Sequence, residues 1–169
     1  CEKCIAEIDG RQQGLADEKQ YEGLSADDAA KLRSRNEVRG QQLTKQLSDI
    51  QNELGMVAVA ENQPDKAESF FKKSVDNNPR NFSAQANLGV LYLNYANFAD
   101  SCTAFGEALA LRPHDLDVMV GHASCTYGQG NLDGAMQEFE ATSQVFPGNA
   151  YVVRRLGEIA FKDKGDQPT

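Results

Sequence analysis

Apolar residues recur along this chain at intervals of three and four, the spacing of a helix face, not the alternation of a strand. Leu43, Leu47, Ile50, Leu54 and Val57 make one such stripe. Ahead of it, Ser25-Ala26-Asp27-Asp28 reads as a helix start, with a serine cap and acids in the first turn, where the helix dipole favours them. The pattern predicts one long helix from about Ala26 through this stripe, with Gly40 as the place where it would break. Residues 1–24 carry Gly10, Gly14, Gly23 and only scattered apolar side chains, which predicts short helical pieces or a tether.

From residue 48 onward the pattern repeats. Pro79, Pro113 and Pro147 are 34 residues apart, and so are Phe71, Phe105 and Phe139. Ala67, Ser101 and Ala135 keep the interval, as do Ser74, Ala108 and Thr142. Leu54, Leu88, His122 and Leu156 form a further column, followed by Gly55, Gly89, Ala123 and Gly157. A period of this length marks a stack of supersecondary units that bury their faces against one another. Small residues such as Gly89, Ser101 and Ala108 let two helices approach, and Leu88, Tyr92 and Phe105 fill the space beside the contact. Turn residues (Asn62-Gln63-Pro64, Ala96-Asn97, Gly128-Gln129-Gly130-Asn131) separate the two helices of a unit, with Pro64 suited to a first helical turn. Each unit closes on a proline turn, as in Arg112-Pro113-His114-Asp115.

These columns resemble the tetratricopeptide repeat family, most closely at Leu88-Gly89, Tyr92, Phe98, Phe105, Ala108 and Pro113. The resemblance implies an all-α fold, a helical-hairpin solenoid with repeats at 48–81, 82–115 and 116–149. Residues 25–47 are then an N-terminal capping helix, and 150–169 a C-terminal solvating helix and tail. The family's usual tryptophan at the fourth position is replaced by Gln51, Gln85, Met119 and Val153, and His122 and Thr126 depart from the pattern in the third repeat, which predicts looser packing there.

Charge and chemistry narrow the function. Twenty-five acidic against 17 basic residues give a net charge of −8, which argues against nonspecific nucleic-acid binding. Apolar runs such as Met56 to Ala60 fall far short of the roughly 18 residues of a spanning helix. The only histidines are His114, in an inter-repeat turn, and His122, at a core position. No phosphate loop, nucleophile elbow or zinc-protease motif is present, so neither catalysis nor a cofactor is expected. Cys1-Glu2-Lys3-Cys4 has the spacing of a redox or zinc half-site but lacks a second ligand pair. Cys102 and Cys125 fall on adjacent helices of the predicted stack; buried free thiols are the default reading and a disulfide the alternative. Asn81-Phe82-Ser83 matches a glycosylation sequon, a short and common pattern.

The chain begins on Cys1, as a mature bacterial lipoprotein does; a cut that happens to fall on cysteine reads equally well. Small repeat lipoproteins of the pilotin and Tad-pilus assembly type resemble this arrangement and imply an envelope protein facing the periplasm, tethered through a lipid on Cys1. A cytoplasmic location is the alternative.

The resemblance places the first helix of each repeat on a concave, partner-binding face. Carried onto this sequence, that face comprises Asn52, Met56, Val59, Ala86, Val90, Leu93, Asn94, Val120, Ser124, Tyr127, Arg154, Glu158, Phe161 and Lys162. Its middle is apolar, and Val90, Leu93, Val120 and Tyr127 are expected to be spare to the repeats' own packing, hence an interaction strip. The groove residues of the middle repeats include no lysine and only one asparagine, Asn94, so they lack the Lys and Asn set with which some family members grip a terminal carboxylate. The expected ligand is therefore an apolar extended or helical protein segment, and the expected role a non-enzymatic scaffold or assembly subunit. A secretion chaperone is the alternative, and a redox or metal protein using Cys1 and Cys4 a weaker one.

Overall fold

The computed structural model describes the backbone of residues 2–165 and the side chains of 3–162. Among the described residues there are eight α-helices, one short 3-10 turn and no strand. The chain divides into two compact units, residues 1–81 and 82–169.

The first unit holds α1 (Glu2–Leu15), the 3-10 turn (Glu18–Tyr21), α2 (Ala26–Ala60) and α3 (Pro64–Asn77). Ser25 caps α2 as its sequence predicts, its Oγ accepting from the Asp28 amide at 3.2 Å. α2 runs through Gly40 without interruption for 35 residues. α1 packs on its middle: Ile8 of α1 is buried with Leu43 and Leu47, flanked by Ile5, Leu15 and Ile50. The pairing is antiparallel, since Gln12 donates to Thr44 Oγ1 while Asn36 reaches back to Gln20 and Tyr21. The glycine-bearing N-terminal segment is thus a docked helix instead of a tether.

The C-terminal half of α2 pairs with α3, and this contact contains a buried polar knot. Ser48 Oγ donates to the Ser74 carbonyl at 2.8 Å, and Ser74 Oγ donates to the Ser48 carbonyl at 2.7 Å. Asn81 Nδ2 donates to Ser48 Oγ at 2.9 Å. Every member is fully or nearly fully buried, so the bonds are needed to offset desolvation. The sequon is unusable in this fold: Asn81 is buried and the nitrogen that would carry a glycan is already donating.

The second unit holds α4 (Phe82–Asn94), α5 (Phe98–Leu111), α6 (Leu116–Gly128), α7 (Leu132–Val145) and α8 (Ala150–Gly165). Successive helices pack on each other, and α4 also touches α6. One core gathers Phe105, Ala108, Val118 and Cys125; a second gathers Ala123, Ala135, Phe139, Val152 and Ile159. The starts of α6 and α7 are capped by Asp115 and Asn131, whose side chains accept from the amides of Val118 and Gly134.

The turn between the two helices of each repeat has one recurring geometry. Asn62, Ala96 and Gly130, one period apart, all sit at positive φ (56°, 57° and 82°). Behind them Gln63 donates to the Ala58 carbonyl, Asn97 to Tyr92 and Asn131 to Thr126, the six-to-one bond of a Schellman cap. A left-handed residue at this point reverses the chain sharply enough to lay the second helix against the first.

Candidate functional site

The face expected to bind partners has members in both units, and each unit is described by itself. In the first, Met56 and Val59 stand exposed on the last turns of α2. Asn52, expected on the same face, is buried. Its counterparts Ala86 and Val120 are half-buried, so in the three repeats this place is shared with the packing, whereas Arg154, one period further on in α8, is exposed.

In the second unit the face is built by α4, α6 and α8. Val90 is 48% exposed and Phe161 is 80% exposed. Asn94, Arg154, Glu158 and Lys162 are exposed around them, with Arg154 and Arg155 both paired to Glu158. The strip expected to be spare to packing is only partly so. Leu93 packs against the core around Phe105, and Val120 and Tyr127 pack against the core around Phe139. The cause is the stacking of successive helices, which covers first-helix side chains that turn toward a neighbouring helix. Ser124 returns its hydroxyl to the Val120 carbonyl at 2.7 Å and presents little free polarity.

Tyr127 is also gripped by two cations from α8. Lys162 Nζ donates to its hydroxyl, and the Arg155 guanidinium carbon lies 4.6 Å from its ring centroid. Arg155 is the more covered of the two arginines, with 19% of its side chain exposed. Its Nε is buried without a hydrogen-bond partner, and the aromatic ring takes that place. Tyr127, Arg155 and Lys162 therefore fix α8 to α6 before any ligand arrives.

The chemistry-bearing residues are otherwise satisfied internally. His122 is half-buried with Nδ1 2.8 Å from Glu138 Oε2, and Thr126 Oγ1 lies 3.1 Å from both oxygens of that carboxylate. His114 is exposed in its turn. Cys102 and Cys125 are joined in a disulfide, with Cα atoms 5.5 Å apart. This corrects the expectation of two free thiols: adjacency of α5 and α6 in the stack brings the two Cβ atoms within bonding reach. Cys4 is disulfide-bonded as well. Cys1, the candidate lipid site, lies outside the described residues. Among the described residues no group of three or more His, Cys, Asp or Glu could hold a metal ion, and no helix is long and apolar enough to cross a membrane.

The repeat geometry invites comparison with solved structures. The Arabidopsis OM64 TPR domain matches with a TM-score of 0.64 at 16% identity, covering 69% of this chain and 96% of that one. The first TPR domain of Spaghetti (RPAP3), solved bound to the HSP90 peptide SRMEEVD, matches with a TM-score of 0.66 at 19% identity, covering 70% of this chain and 94% of that one. The fold is of the tetratricopeptide type. No family model matches the chain. In sequence, the CTR9 homolog of Arabidopsis thaliana is 30% identical over 104 residues, 61% of this chain. The match spans about one tenth of the length of that relative, 10% of it.

The positive-φ turn and the disulfide are the features least visible in sequence. The turn has a signal, because Asn62, Ala96 and Gly130 share the period. Alanine at the middle position masks it.

Proposed function

We propose that this tetratricopeptide stack works by holding other proteins, without catalysis, through the first-helix face of its second unit. The observation that carries this reading is Phe161, a large apolar side chain left almost wholly in solvent on α8, the helix that Lys162 and Arg155 anchor to Tyr127. Val90 adds a second exposed apolar contact on α4. Such side chains are costly to leave in water and serve as anchors for a partner; each one buried contributes roughly 1.5–3 kcal/mol before ordering costs. Proteins of the same fold are solved with HSP90 and HSP70 peptides, which supports peptide capture as the mode. The ligand class differs in our reading. Val90 and Phe161, the exposed large side chains of this face, are apolar, so the preferred segment is apolar, extended or helical, and the role is that of a scaffold or assembly subunit.

The bonded state of Cys4, Cys102 and Cys125 supports work in an oxidising compartment, the bacterial cell envelope among them, since cytosolic thiols are kept reduced. Panning a random peptide library on the purified chain tests the binding reading. Enriched peptides should carry two or more large apolar residues and lose binding to Phe161→Asp. Enrichment of acidic C-terminal peptides indifferent to that substitution would overturn it.

A further inference from the structure

The repeat's internal geometry exposes a second surface, beside the groove. Within each repeat, one place on the first helix receives the aromatic ring of the second helix. A Cβ on Gly55 would stand 2.4 Å from the Phe71 ring, and one on Gly89 would stand 2.6 Å from the Phe105 ring. In the third repeat Ala123 and Phe139 share a core. One period further on, at Gly157 of α8, a Cβ would meet nothing within 4 Å.

The neighbours of that notch behave in the same way. Gln51 and Gln85 are buried, Gln51 accepting from Asn77 of α3, and Met119 is half-buried. Val153, at the same place in α8, is 54% exposed although it is apolar. Ala58 is buried, while its counterpart Ala160 is only half-buried. α8 therefore carries the contact face of a first helix with the second helix lacking among the described residues. A helix that merely solvated the end of the stack would place polar side chains here.

We propose that Val153, Gly157 and Ala160 form a seat for an amphipathic helix of a partner protein. Its chemistry is given three times within the chain. The second helices present a small residue, an aromatic four places on and another small residue three places after that: Ala67, Phe71 and Ser74; Ser101, Phe105 and Ala108; Ala135, Phe139 and Thr142. The partner's aromatic ring fills the open notch over Gly157, and its flanking small residues let the backbones approach. A second folded copy is a poor occupant, because its own Phe71, Phe105 and Phe139 are fully buried. The seat adjoins Phe161, one turn beyond Gly157 on α8, so Val90 on α4 is the residue that reports on the groove alone.

The test uses the full chain and a fluorescein-labelled peptide of residues 63–78, held helical by a lactam between Glu68 and Lys72. Fluorescence anisotropy should show saturable binding. Phe71→Ala in the peptide and Gly157→Leu in the chain should each weaken it at least tenfold, and Val90→Asp should leave it unchanged. The leucine has open space to occupy and replaces a helix-weakening glycine, so circular dichroism should show the helix content retained. Val153→Lys, at an exposed position, provides an independent second variant with the same expected loss. Absence of saturable binding, or affinity unchanged by Gly157→Leu and Val153→Lys, would overturn the proposal. So would a concentration-dependent dimer abolished by Gly157→Leu, which would make a second copy the occupant.

Discussion

The ring of Phe105 on α5 fills the space where a side chain on Gly121 of α6 would begin: a Cβ there would stand 2.4 Å from the ring. The same ring closes on Gly89 of α4, so one side chain joins three helices. Phe105 is fully buried and cannot swing into solvent without opening the core. Gly121→Ala should therefore destabilise the fold by about 1–3 kcal/mol, the usual cost of overpacking. Urea unfolding followed by circular dichroism measures it as a fall in midpoint at constant slope. Pairing it with Phe105→Leu, which shortens the obstructing ring, should recover part of the loss. Additive losses would mean that the two residues do not compete for one space.

Ala96 bears the strain of the turn between α4 and α5. Its φ of 57° costs an L-residue with a Cβ roughly 1–2 kcal/mol, while glycine adopts that conformation freely. Against this, glycine enlarges the entropy of the unfolded chain, an effect of about 0.4–1 kcal/mol. The conformational relief is the larger, so Ala96→Gly should stabilise the protein by about 0.5–1 kcal/mol. A thermal melt would register it as a rise of a few degrees. An unchanged or lower midpoint would show that the Schellman bonds around Ala96 already absorb the strain.

Most of the fold can be read from the chain because the repeat tests each inference several times. Phe71, Phe105 and Phe139 are recognisable as core by their common interval, and all three are buried. The cap at Ser25 is a local signal and needs no tertiary information. What sequence reading misses depends on distances between elements. The repeat pattern does not require Leu93 and Tyr127, yet the closeness of neighbouring first helices covers them. Cys102 and Cys125 lie 23 residues apart, and only the placement of α5 beside α6 makes them a pair. Val153 illustrates the converse: it shares a column with the buried Gln51 and Gln85, and is exposed because nothing among the described residues lies over that side of α8.

The disulfide joins α5 to α6 across a separation of 23 residues. By chain entropy a link of that span stabilises the folded state by about 3 kcal/mol. Replacing both cysteines by alanine should lower unfolding free energy by about that amount and leave the helical spectrum intact. The helices remain in contact through Phe105, Val118 and Ala108, so the unit should still fold. A thiol titration of the unfolded, unreduced protein gives a separate check: Cys102 and Cys125 should contribute no reactive thiol until a reductant is added.

Binding and stability should separate cleanly on the groove face of the second unit. Phe161 and Val90 are exposed, whereas Leu93 is packed against the core containing Phe105. Phe161→Asp and Val90→Asp should abolish capture of an apolar peptide and move the unfolding midpoint little, since surface substitutions stay within about 0.5 kcal/mol. Leu93→Asp should fail on both counts, because it sets a carboxylate against the apolar core in place of a packed, half-buried side chain. A loss of binding on Leu93→Asp alone would therefore say nothing about the surface. The diagnostic result is the contrast: peptide affinity, measured by calorimetry, falling at least tenfold for Phe161→Asp while urea denaturation stays superimposable on the wild type. If affinity holds and only Leu93→Asp loses it, the peptide binds somewhere other than this face.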